Sequence, residues 1–210
     1  MSEEVLGTTA QRAPAIPASP ERPKLASGPG AKARILSTAT RLFYYEGIRA
    51  VGIDRLISEA SVTKATFYKH YGSKDTLILA YVAHVHDETQ AILEELVNDS
   101  TSASDALRRL IARIQHETQA PDFRGCAFNN AAVEFADSRH PVREVVRDHR
   151  DWFSELLASL FRAAEHPMPG DAADEFMLLR DGAMTGAYVG DSIAAGSALS
   201  RFADRILGDR

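Results

Sequence analysis

A chain of 210 residues with 45% hydrophobic content can bury a core, which excludes a fibre or a wholly disordered polymer. No apolar run approaches the ~18 residues of a membrane span, the acidic start MSEEVLGTTA lacks the basic and apolar regions of a signal peptide, and a single cysteine, Cys126, excludes an intrachain disulfide framework. Charge divides sharply: residues 21–74 hold ten Lys/Arg against four Asp/Glu, and residues 75–210 thirteen against twenty-three, so a basic module that can meet a polyanion is joined to an acidic body.

Residues 1–29 carry five of the nine prolines among many Ala, Ser and Thr. Such a segment buries little apolar area and is expected to be a disordered arm. A cytoplasmic location is expected, with no membrane partner.

From Gly30 to Ala120 there is no proline, and no period-2 strand pattern is found. Ile35, Leu36, Ala39, Leu42 and Phe43 repeat at helical spacing, and Gly47 suits a C-terminal cap. Ile53, Leu56, Ile57 and Ala60 predict a short second helix, and Lys64–Tyr71 a third that stops at Gly72. Ser73 then caps a long fourth helix running to about Asn98.

Beyond it, Ser102-Ala-Ser-Asp105 resembles a capping box with Asp in its last position. It precedes a helix carrying Leu107, Leu110, Ile111 and Ile114. Residues 121–125 break that helix, and a short one is predicted over Asn129–Ala136. Pro141 suits the first turn of a long helix that carries Trp152 and Phe153. The run 166–171 (HPMPGD) reads as a loop, followed by helices over Asp171–Val189 and Ser192–Leu207. The fold class expected is all-α.

The second and third helices, joined around Ser61-Val62-Thr63, have the geometry of a helix-turn-helix. Phe67 and Tyr71, four apart, share a face that packs on the first helix. Ala65, Thr66, Lys69 and His70 fall on the other side, with Lys64 and Tyr68 at its edges, where side chains can reach base edges or phosphates in a major groove. Lys74 opens the fourth helix, where backbone N–H groups and the dipole attract a phosphate. Arg55, on the second helix, is a further DNA-binding candidate from its charge and placement.

The stretch AKARILSTATRLFYYEGIRAVGIDRLISEASVTKATFYKHYGSKDTLILAYV resembles the DNA-binding domain of TetR-family transcriptional regulators. The resemblance rests on the pattern around Val62, Thr66, Tyr68, Tyr71, Ser73, Lys74 and Leu77 and covers about a quarter of the chain. It implies a domain over residues 30–75, extending to about 89 by the family pattern, with the helix-turn-helix at about 52–71. It implies double-stranded operator DNA as partner, a homodimer that binds a pseudo-palindrome, and a helical domain over 76–210 for a small-molecule effector and dimerisation. The groove-facing residues it implies are Lys64, Ala65, Thr66, Tyr68, Lys69 and His70, with Lys74 on a phosphate. The sequence departs from the pattern at Val51-Gly52-Ile53, where relatives often carry a Thr pair, and at Ser61, where Gly is frequent.

Expected pocket walls are Tyr81, His84, His116, Phe128, Trp152, Met177, Met184 and Tyr188. LLRDGAMTGAYVGD sets Gly182, Gly186 and Gly190 four apart. Each interior Gly costs a helix about 1 kcal/mol relative to Ala, so close approach of another helix is expected, and Gly182, Gly186, Ala187, Ala198, Phe202 and Ile206 are placed at a dimer interface. The competing reading has Gly190 as a cap and the other two glycines packed within the monomer.

No catalytic or cofactor motif is found: G-x-S-x-G, P-loop and G-x-G-x-x-G are all absent. No metal is expected at His84-Val-His86, because residues two apart on a helix point away from each other. His149 reads as a core histidine and Cys126 as a small buried hydrophobe. The leading function is a ligand-responsive DNA-binding repressor and not an enzyme. A metal- or redox-sensing regulator of the same fold and, distantly, a helical enzyme are the alternatives.

Overall fold

The chain's apolar periodicity is helical throughout, and so is its structure. A computed structural model describes residues 30–207, and among these the regular elements are nine helices: α1 (Ala31–Glu46), α2 (Ile53–Glu59), α3 (Lys64–Tyr71), α4 (Lys74–Asn98), α5 (Ala103–Thr118), α6 (Ala127–Glu134), α7 (Pro141–Ala163), α8 (Pro169–Val189) and α9 (Ser192–Ile206). The arm expected over residues 1–29 lies outside the described residues.

Caps set the boundaries. The Ser73 hydroxyl accepts the Thr76 N–H and the Ser102 hydroxyl the Asp105 N–H, each satisfying a donor that the first helical turn leaves open. The second half of the box differs from a standard one, since the Asp105 carboxylate accepts from Thr101 N rather than from the cap residue. Gly47 ends α1 at φ +92°, in the left-handed region that a side chain disfavours.

Two boundaries differ from expectation. α8 begins at Pro169 and not Asp171, because a proline in the first turn has no N–H to lose and its fixed φ suits a helix start. α6 begins two residues early, at Ala127 directly after the Gly125–Cys126 turn, and ends at Glu134 because Phe135 is extended.

α1–α3 enclose Ile35, Leu42, Leu56 and Phe67, each wholly buried. α4 belongs to both halves: Tyr81 packs edge-on to Phe43 of α1 at 5.4 Å between ring centroids, while Leu93 joins the core of α5, α7 and α8. Leu107, Leu157 and Phe161 are fully buried there. Truncating such a leucine to Ala costs about 2–5 kcal/mol, so a helix swing that opened this core would be opposed strongly. Gly190 caps α8, and a Cβ at Gly186 would lie 3.7 Å from that of Ala195 on α9. These two glycines therefore follow the competing, intramolecular reading, while Gly182 is open.

Candidate nucleic-acid interface and effector cavity

The turn between α2 and α3 reverses the chain by putting Ser61 at φ +51°, which explains why relatives favour Gly there: a left-handed residue with a side chain costs roughly 1–2 kcal/mol. Val62 N donates to Ile57 O at 3.2 Å and closes the turn. Thr63 then caps α3, accepting from Thr66 N at 3.1 Å, and its hydroxyl lies 2.9 Å from that of Thr66. Phe67 is wholly buried, and Tyr71 donates its hydroxyl to Lys32 O at 3.0 Å. With that face tied to α1, Lys64, Ala65, Tyr68, Lys69 and His70 are exposed. At 1.5 Å per residue α3 is about 12 Å long, a fit for a major groove. Thr66 is half-buried and already shares its hydroxyl with the cap.

Two of the basic candidates are less free than their charge implied. Arg55 donates to Glu59 at 3.0 Å and to Glu46 at 2.7 Å, in a surface chain of ion pairs that continues through Glu59 to Arg41. Lys74 is half-buried, its ammonium 3.5 Å from Arg49 O and 5.9 Å from the Phe43 ring centroid. Burial holds it below the ordinary lysine range, with Glu134 and Asp75 pulling the other way. α2 starts at Ile53 after Gly52, which sits at the N-cap and offers no side-chain hydrogen bond there.

A cavity of about 370 Å³ lies among α4–α8 and also touches α1. That size and a mostly apolar wall with a few polar groups are typical of a small-molecule site. Of the expected wall residues, the structure brings together His116, Phe128 and Met184. The other five are placed elsewhere. Tyr81 is buried beneath Phe43, with its phenol pushed well above the usual range by burial. Met177 is ordinary core, Trp152 borders His86 at 5.5 Å, and Tyr188 is exposed under the Arg124 guanidinium at 4.9 Å. His84 borders a separate depression beside Arg34, Glu59 and Ser61. The sequence marks helical apolar positions alike, whether they line a void or fill the core.

The walls that sequence reasoning missed are both apolar, such as Leu110 and Phe153, and polar. The polar ones include Tyr44 and Tyr45 of α1, Arg113 and Glu117 of α5, and Arg180 of α8. One signal existed: Arg180 falls on the same stripe of α8 as buried Phe176, Met177, Ala183 and Met184, where an apolar residue would be the default. Tyr44 donates to Gly125 O at 3.1 Å and accepts from Arg124 N at 3.0 Å, and Tyr45 donates to Asp122 at 2.6 Å. The cavity rim at 122–126 is thereby fastened to the DNA-binding half.

His149 lies inside the core, 3% exposed, stacked on Phe128 at 3.4 Å between centroids and 3.0 Å from His86 through their Nδ1 atoms. Burial first, then the charges of Arg180, His86 and Arg150, lower its pKa to about 3, against a smaller pull from Asp181. Among the described residues no three His, Cys, Asp or Glu side chains are placed to share a metal ion; His84 instead pairs with Glu88. No described helix is long and apolar enough to cross a membrane.

On the outer face of α8, Leu178, Gly182, Thr185 and Val189 are exposed on one stripe, and Ile193 and Ala198 of α9 are exposed as well. Ala187 is half-buried. Ile206 corrects its assignment to an interface: it is 7% exposed, turned into its own chain's core. The Phe202 side chain lies outside the described part.

Comparison with known proteins agrees with this geometry. Residues 35–81 match the family model described as bacterial regulatory proteins, tetR family. The chain is 38% identical to a TetR-family transcriptional regulator from Streptomyces coelicolor of known crystal structure, covering 85% of this chain and 95% of that one with a TM-score of 0.81. It is 24% identical to the transcriptional regulator AcuR of Cereibacter sphaeroides, over 72% of each chain. Against the transcriptional regulator LmrA of Bacillus subtilis it is 23% identical, over 58% of this chain and 66% of that protein.

Proposed function

This chain belongs to the TetR family and is a transcriptional regulator with a DNA-binding helix-turn-helix, and from that premise we propose that it is a ligand-responsive repressor, binding a pseudo-palindromic operator as a homodimer and released by a small molecule. The observation that carries the ligand response is the cavity of about 370 Å³ whose rim is hydrogen-bonded to Tyr44 and Tyr45 of α1. A ligand that displaces this rim acts directly on the helix against which α3 packs.

In this reading Lys64, Ala65, Tyr68, Lys69 and His70 face the groove, with Thr66 at the edge. Lys74 and Arg55 reach phosphates by exchanging their present partners. One short helix reads few base pairs, so two copies on successive half-sites are expected. The exposed stripe Leu178, Gly182, Val189, extended by Ile193, offers the apolar surface on which two copies meet. Operator binding places the protein's work in the cytoplasm.

Footprinting of the purified protein on the DNA upstream of its own gene tests the reading. Protection of two half-sites about one helical turn apart is expected, relieved by a small-molecule extract of the producing cells. Protection of a single half-site, or none, counts against the dimeric operator model.

A further inference from the structure

Among the described residues, Arg180 is a charge in an unusual setting. Its side chain is 13% exposed and lines the cavity, yet the oxygen it reaches is a single one, Asp181 Oδ1 at 2.8 Å. Its other contacts, from Nη1 and Nη2 to Cys126 Sγ at 3.6 and 3.5 Å, go to a weak acceptor. A guanidinium has five N–H donors, and most of these find no oxygen among the described residues.

Immediately around the guanidinium, cations also outnumber carboxylates. Asp181 is shared with Arg150, whose Nη1 lies 2.6 Å from Oδ2, so two cations rest on one carboxylate. The carboxylates that border the cavity are committed elsewhere, Glu117 to Arg113 and Asp122 to the Tyr45 hydroxyl. A largely buried guanidinium that leans on a sulfur acceptor, at the wall of a mostly apolar chamber, favours an anionic acceptor. The chamber itself is aromatic: Phe128 stacks with His149, and Phe153 lies 5.4 Å from the Arg180 guanidinium.

Resting on the reading of this cavity as an effector site, we propose that the effector is an aromatic monocarboxylate, with its carboxylate on Arg180 and its ring against Phe128 and Phe153. The carboxylate supplies the oxygens that Asp181 and Cys126 leave wanting and neutralises the surplus charge. A fused bicyclic acid is within the range of ligand that a cavity of about 370 Å³ holds.

Isothermal titration calorimetry on the full chain tests this with naphthoate, naphthamide and naphthylmethylammonium, which share a ring and differ in charge. Naphthoate is expected to bind at least about tenfold tighter than the amide, with the ammonium weakest, and Arg180→Met to erase the preference. Should that variant not fold, the rank order on the unaltered chain decides. Equal binding of acid and amide, or tighter binding of the ammonium, overturns the aromatic-acid assignment and leaves the cavity as a binding site. Naphthoate binding that is unchanged in Leu110→Trp, where an indole occupies the chamber, overturns the cavity reading as well. Absence of binding by all three probes at about 1 mM overturns the assignment of class.

Discussion

The Glu134 carboxylate at the end of α6 accepts the backbone N–H of Ile48 at 2.8 Å, across the join between the C-terminal helices and the DNA-binding half. Its second oxygen accepts from Arg49 N at 2.7 Å. A Cβ at Gly47 would lie 3.4 Å from Glu134 Oε1, an ordinary van der Waals contact, so the position calls for glycine through its φ of +92° rather than through room for the carboxylate. One anion therefore holds the turn that joins α1 to α2, from the helix whose N-terminus borders the cavity.

Glu134→Ala should destabilise the protein by roughly 1.5–3 kcal/mol, the range for a hydrogen bond to a charged group. Glu134→Gln should fall between, since it keeps one acceptor but sets an amide N–H against a backbone N–H. Urea denaturation with helicity as the signal measures both. A loss under about 0.5 kcal/mol for the alanine variant, the scale of an ordinary surface change, would show that the turn holds itself.

Base reading should concentrate on α3. Lys64→Ala and Lys69→Ala are expected to alter preference among operator variants by roughly 1–3 kcal/mol wherever a bidentate base contact is lost. Lys74→Ala should instead weaken all sequences about equally and lower the salt slope by about 1 per subunit. Binding across a randomised operator library at two salt concentrations separates the roles. An unchanged ranking with the lysines of α3 removed would reassign them to phosphates.

Acid should destabilise the protein through His149. Its folded pKa, about 3, lies below its ordinary value of 6.5, so the unfolded chain takes up the proton first. The stabilising contribution is complete above pH 6.5 and is lost as pH falls towards 3, at up to about 1.4 kcal/mol per pH unit. His149→Gln should flatten this slope in denaturant titrations between those limits. An equal slope in the variant would place the acid sensitivity in other groups.

The outer face of α8 should govern assembly. Leu178 and Val189 are each 73% exposed, so Leu178→Glu and Val189→Glu should leave the monomer's core intact while burying an unpaired charge in any dimer formed there. Light scattering is expected to report folded monomers that bind a half-site weakly. Intact dimers with both substitutions present would move the interface to another face. Gly186→Leu is a poorer probe, because the new side chain would meet Ala195 of its own chain.

Local rules determined much of this protein from the sequence alone. Ser73, Ser102, Gly47, Gly72 and Pro141 mark helix ends because caps and proline act within one turn, and those boundaries hold. Phe67 and Tyr71 against Lys64 and Lys69 follow from helical period, which decides a buried and an exposed face without knowledge of the partner. Tertiary structure decided what depends on neighbours remote in the chain. Tyr81, Trp152 and Met177 share the apolar period of Phe128 and Met184, yet only the latter pair lines the cavity, since a void is defined by how several helices pack. Arg55 and Lys74 kept their charge but acquired Glu46, Glu59 and the Arg49 carbonyl as partners. Arg180, with Cys126 brought against it from 54 residues away, gained its unusual setting only when α8 met the α6 turn, because electrostatic environment is a property of space and not of order along the chain.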